Sequence, residues 1–149
     1  MESKYKEKLV EKQSIYVDCK RLLEWLYDVR WKVNRKDRAS LFNAYLIPDV
    51  LRMISHFKRG YRFREERLKS IDEFLYYYDD VNSLLELASS KKLITEKDYS
   101  STFIWLVRIE ENVKNWRASA RKAKQSGVAS NYGGAPENED NSRGGDGFI

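Results

Sequence analysis

The sequence predicts an all-α chain: an antiparallel four-helix bundle over residues 1–126, followed by a disordered tail over residues 127–149. Three observations predict it. Six of the seven glycines lie after residue 126 and the chain has only two prolines, so the first 126 residues are almost without helix breakers. Apolar residues recur there at steps of three and four, the spacing of one helix face. The tail is rich in Gly, Asn, Ser and acids and has no apolar pattern before Phe148-Ile149.

The first helix is expected from about Lys4 to Val33, with Leu9, Ile15, Tyr16, Cys19, Leu22, Leu23, Leu26, Val29 and Val33 on one broad stripe. The polar stretch Asn34-Arg35-Lys36-Asp37-Arg38 interrupts it. A second helix, about Ala39 to Lys58, uses Leu41, Phe42, Tyr45, Leu51, Ile54 and Phe57; Pro48 kinks or splits it, and Gly60 is its expected stop. The third, about Tyr61 to Ser90, repeats Leu68, Ile71, Leu75, Tyr78, Asn82 and Leu85, widened by Phe74, Val81 and Ala88. Thr95 caps the fourth, with Asp98 three residues on as a capping-box variant. Its stripe is Tyr99, Phe103, Leu106, Ile109, Val113, Trp116, Ala120 and Ala123. The short link Lys91-Lys92-Leu93-Ile94 makes helices three and four antiparallel neighbours.

Several classes are set aside at once. No window resembles a membrane span, and Met1-Glu2-Ser3-Lys4 leads into no secretory h-region. Cys19 is the single cysteine, which excludes an internal disulfide and a cysteine zinc site and fits a cytoplasmic location. No glycine-rich phosphate loop occurs in the helical region. No cofactor or metal site is expected.

The net charge of +5 is unevenly spread. Residues 1–29 and 70–126 each balance their acids and bases, and the tail is acidic. Residues 30–69 hold twelve basic side chains against four acidic ones. A solvated mixed-charge face alternates signs, so this one-sign concentration points to a polyanion, and nucleic acid is the expected partner. The leading contacts are Arg35, Lys36 and Arg38, with Arg59, Arg62, Arg64 and Arg67 around the next helix junction. Arg30, Lys32 and Arg52 rank second, because they sit within helices where a partner such as Asp49 can occupy them. The basic end of helix four (Arg121, Lys122, Lys124) adjoins the acidic tail and serves as the comparison.

Catalytic signals are thin. Arg52 and His56, the only histidine, share a helix face, the pattern of small helical ribonucleases or toxins of the HEPN type, though the gap between them is short. A surface histidine in a basic helix is the simpler reading. Di-iron bundles need Glu-x-x-His, and position 53 is Met. Asp72-Glu73 and Asp79-Asp80 read as a solvated face or as partners of basic helices. Trp116 and Tyr78 fall on core stripes; Trp25, Trp31 and Trp105 do not. We read those three as a subunit interface, with stacking on single-stranded nucleic acid the lesser use.

With these elements placed, residues from about Leu23 to Ala118 resemble the accessory variability determinant (Avd) proteins of diversity-generating retroelements. These are related to four-helix-bundle proteins encoded in 23S ribosomal RNA intervening sequences. The resemblance rests on Asn34-Arg35-Lys36-Asp37-Arg38, Glu66-Arg67-Leu68, Leu84-Leu85-Glu86-Leu87-Ala88, Leu93-Ile94-Thr95-Glu96-Lys97-Asp98-Tyr99, Ile109-Glu110 and Asn115-Trp116-Arg117. It implies a non-enzymatic, basic, nucleic-acid-binding homopentamer. Such a subunit associates with a reverse transcriptase and supports mutagenic cDNA synthesis from template RNA.

Overall fold

A computed structural model of the chain describes residues 9–126, and the expected tail lies outside the described residues. The described chain is all-helical, without strands, and has four long helices. Helix α1 is Ser14–Val29, α2 is Ile47–Arg62, α3 is Arg67–Ser90 and α4 is Phe103–Gln125. One core joins them: Ile15, Cys19, Leu22 and Leu26 meet Phe42, Leu46, Val50, Met53 and Phe57, then Ile71, Phe74, Val81 and Leu85, then Leu106, Ile109, Val113 and Trp116. The buried residues of α1, α3 and α4 follow the predicted stripes, except that Phe103 is exposed. The second helix turns a different face inward: Tyr45 and Leu51, expected in its stripe, are exposed. Leu46, Ile47, Val50 and Met53 are buried beside Leu41, Phe42 and Phe57, because the chain winds more widely over residues 38–46 than steps of three and four allow.

Boundaries differ from the sequence reading, each for a local reason. The first helix is interrupted: residues 9–11 are helical, Gln13 is extended before α1, and a 3-10 turn, Arg30–Lys32, follows it, while the part expected over residues 4–8 lies outside the described residues. Asn34 then caps a new turn, Arg35–Asp37, its Oδ1 accepting from the Asp37 N–H at 2.9 Å. The polar stretch is therefore a capped helix start rather than a connection. A π-helical segment, Arg38–Leu46, runs on into α2. Winding changes beside Pro48, which has no N–H to return to a preceding carbonyl. The chain neither breaks nor splits there.

Gly60 does not stop its helix; α2 continues to Arg62 and ends at the extended Phe63. The glycine is needed for space. A Cβ there would lie 3.0 Å from Trp116 Cη2 and 3.2 Å from Ser70 Cβ. After α3, Lys92 takes a positive φ of 60°, while Leu93 N–H donates to Ala88 O and Lys92 N–H to Ser89 O, a Schellman closure. Thr95 caps as predicted, its Oγ1 accepting from Asp98 N–H at 3.0 Å. That capped helix is only Glu96–Ser100. The hydroxyls of Ser100, Ser101 and Thr102 donate back to Lys97 O, Asp98 O and Tyr99 O, competing with the helical ladder, and α4 restarts at Phe103.

Side chains pair the helices in sequence order. Between α1 and α4, Arg108 grips Asp18 with Nη2 at 2.8 Å and Nε at 3.2 Å, and Asn112 donates to Ser14. Between α1 and the second helix, Gln13 reaches Tyr61 and Arg30 reaches Asn43. Between α2 and α3, Arg59 meets Glu66 and His56 meets Glu73. Between α3 and α4, Tyr78 OH donates to Leu106 O at 2.7 Å and Arg117 to Asp72. Burial pushes the Tyr78 hydroxyl up to about 12, so it stays a donor. Burial beside Asp18 likewise pushes the Cys19 thiol well above its ordinary range, which keeps it an inert core group.

Candidate nucleic-acid interface

The fold divides the basic segment. Arg30, Lys32, Arg35, Lys36 and Arg38 lie before α2, whereas Arg59, Arg62, Arg64 and Arg67 lie at its far end. The helical residues 39–58 separate the two clusters by about 25–30 Å. Contiguous charge in the chain becomes two poles in space.

At the first pole the basic side chains divide by role. Arg38 donates from Nε to Arg30 O at 3.0 Å and from Nη2 to Val33 O at 2.9 Å, closing the carbonyls at the end of the first helix. Arg30 donates to Asn43 Oδ1, and Lys32 pairs with Asp98 at 3.3 Å. Arg35 and Lys36 are exposed, and neither has an ion-pair partner among the described residues. Trp31 projects here with 63 % of its surface exposed. The Arg30 guanidinium lies 4.8 Å from its ring centre and that of Arg38 4.5 Å; Arg30 also lies 4.6 Å from the Tyr27 ring.

The second pole is more committed to the fold. Arg59 pairs with Glu66 at 2.6 Å. Arg67, expected as a phosphate contact, is buried instead, donating from Nε to Gly60 O at 2.7 Å and from Nη2 to Tyr61 O at 3.2 Å. Burial, helped by the Arg64 charge, lowers its pKa. Its role is to satisfy the last carbonyls of α2. Arg62 and Arg64 are exposed there, beside the exposed Phe63.

Arg52 and His56 both face α3. Arg52 bonds Asp49 at 2.9 Å, the partner expected from the sequence, and lies over the Tyr77 ring. The His56 ring stacks on Tyr77 at 5.7 Å, with Nδ1 3.3 Å from Glu73 Oε1. Glu73 is one of the acids read as partners of a basic helix; Tyr77, one turn on, is the partner that sequence reasoning missed, and its spacing from Glu73 on α3 is the signal that could have found it. Trp25 and Trp105 are half-buried against the core, so the three expected interface tryptophans do not stand out equally. Among the described residues no group of three His, Cys, Asp or Glu side chains is placed to hold a metal ion.

Asp49 supplies a pH dependence. It is buried, and its carboxyl is pushed up to about 6, first by desolvation, then by Asp80, against the pull of Arg52. The folded protein thus holds this proton more tightly than the unfolded chain. The stability it contributes is complete below about pH 4 and is lost as the pH rises to about 6. Asp49→Asn cannot ionise, so its Tm is expected to exceed the wild-type value at neutral pH and to converge with it toward pH 4. Thermal melts across that range check this; parallel curves would refute it.

Among the described residues no helix is long and apolar enough to cross a membrane. No family model matches the chain, and no curated protein and no solved structure matches it.

Proposed function

We propose that this chain is a non-catalytic, nucleic-acid-binding accessory subunit. It works in the cytoplasm as a homopentameric ring, beside the reverse transcriptase of a diversity-generating retroelement, and supports mutagenic cDNA synthesis from template RNA. The reading joins the Avd resemblance to one structural observation: exposed Arg35 and Lys36 sit at one end of the helices without ion-pair partners among the described residues, in the segment that holds the chain's basic excess. The pairings Asp18 with Arg108, Ser14 with Asn112, Asp72 with Arg117 and Tyr78 with Leu106 run in opposite directions along their helices. They support the antiparallel four-helix bundle that the resemblance implies. Arg52 and His56 are engaged by Asp49, Glu73 and Tyr77, which favours a packing role over a ribonuclease site.

Salt dependence tests the reading. Each phosphate contact releases condensed counterions, so each lost contact flattens the plot of log affinity against log salt by about 0.7 for single strands. Arg35→Ala with Lys36→Ala is expected to weaken binding of a short mixed-sequence RNA and flatten its slope more than Arg121→Ala with Lys122→Ala does. Equal losses would place the binding surface elsewhere. RNA cleavage by the purified protein that disappears in His56→Ala would replace this reading with a helical ribonuclease.

A further inference from the structure

The basic pole before α2 carries more than charge. Tyr27, Arg30, Trp31 and Arg38 form a ladder of planar groups, each guanidinium within 4.8 Å of a ring centre. Both cations are held independently of the rings, Arg38 by Arg30 O and Val33 O and Arg30 by Asn43 Oδ1. Trp31 nevertheless leaves 63 % of its surface in solvent, and Tyr27 leaves 41 %. An exposed indole held against fixed cations is a rigid platform. Its ordering cost is met by folding, and its natural complement is another flat aromatic ring.

From this arrangement we infer that Trp31, braced by Arg30 and Arg38, is a stacking site for an unpaired nucleobase, with Arg35 and Lys36 taking the adjoining phosphates. The ligand class is single-stranded nucleic acid. In a duplex the base faces are covered by their neighbours, and only phosphates and groove edges remain to be read. This inference rests on the nucleic-acid reading above and narrows it.

The experiment compares the full chain with its Trp31→Ala and Trp31→Phe variants, each titrated with a single-stranded RNA of mixed sequence and with the fully paired duplex of that sequence. Stacking on one aromatic side chain is worth about five- to a hundred-fold in affinity. Trp31→Ala is expected to lose a factor in that range for the single strand and little for the duplex. Its salt slope stays unchanged, because no charge is removed. Trp31→Phe retains most of the affinity, which separates a lost ring from a damaged fold. Equal losses on both nucleic acids, or no loss on either, would overturn the stacking site while leaving the basic pole as a binder. Failure of the wild-type chain to bind either nucleic acid would overturn both proposals. A fall in assembly mass in Trp31→Ala, with RNA affinity unchanged, would assign Trp31 to a subunit contact and overturn the stacking site.

Discussion

Trp116→Ala is expected to lower the stability of the fold by about 3–5 kcal/mol, the range for truncating a large buried aromatic. Trp116 is fully enclosed, its ring 5.2 Å from that of Phe57 and pressed onto the bare backbone at Gly60. Its contacts Phe57 and Gly60 are one turn apart on α2, at a point where the glycine backbone leaves no side chain to fill the gap. Trp116→Phe is expected to cost less. It keeps a ring against Phe57 and removes an indole N–H that has no hydrogen-bond partner among the described residues. Gly60→Ala overfills the same contact, at about 1–3 kcal/mol, and combining it with Trp116→Phe should recover part of that loss. Urea unfolding of the four proteins reads out the whole set. A Trp116→Ala loss below about 1 kcal/mol would show that the helices repack around the gap.

Arg67→Met is expected to cost about 2–4 kcal/mol of stability. The substitution keeps an unbranched stem but removes the donors that Arg67 gives to the Gly60 and Tyr61 carbonyls, the first of them a buried bond. Arg64→Met, on an exposed side chain three residues earlier, should stay within about 0.5 kcal/mol. The pair separates structure from binding. Arg67→Met should leave the salt slope for RNA untouched in the folded protein, because its guanidinium is turned inward. Denaturation and salt titration of both variants decide the matter. A stable Arg67→Met protein with a flattened slope would return Arg67 to the role its sequence neighbourhood suggests.

That contrast marks what the sequence makes legible. The core stripes of the first and third helices are written in the chain: Ile15, Cys19, Leu22 and Leu26, and Ile71, Phe74, Tyr78, Val81 and Leu85, repeat at helical spacing and are buried as that spacing requires. That of the second is not, since Tyr45 and Leu51 read as core residues and are exposed. Helix ends are less legible, since they depend on hydroxyls folding back, as at Ser100, Ser101 and Thr102, or on a distant ring, as Trp116 at Gly60. Among the basic residues, sequence alone cannot tell Arg38 from Arg35 or Arg67 from Arg64. The difference is which one finds a helix-end carbonyl, and that is settled only when the turns close. Charge density along the chain says nothing of distance either, and a helix between two clusters parts them. The Trp31 platform is written partly in the adjacent Arg30, but its second cation, Arg38, arrives from seven residues away through the capped turn.

The π-helical segment Arg38–Leu46 gives the second helix an unusual tolerance. Its buried residues recur five apart, Leu41 with Leu46 and Phe42 with Ile47, whereas Val50, Met53 and Phe57 beyond it keep steps of three and four. One surplus residue is thus stored as wider winding in place of a loop. Losing a single residue from 39–45 would tighten this stretch to ordinary α winding while the α2 core contacts kept their phase. In a set of chains that differ by insertions and deletions, gaps interior to a long helix would collect here, and the Arg35 and Lys36 end would turn relative to the core with each one.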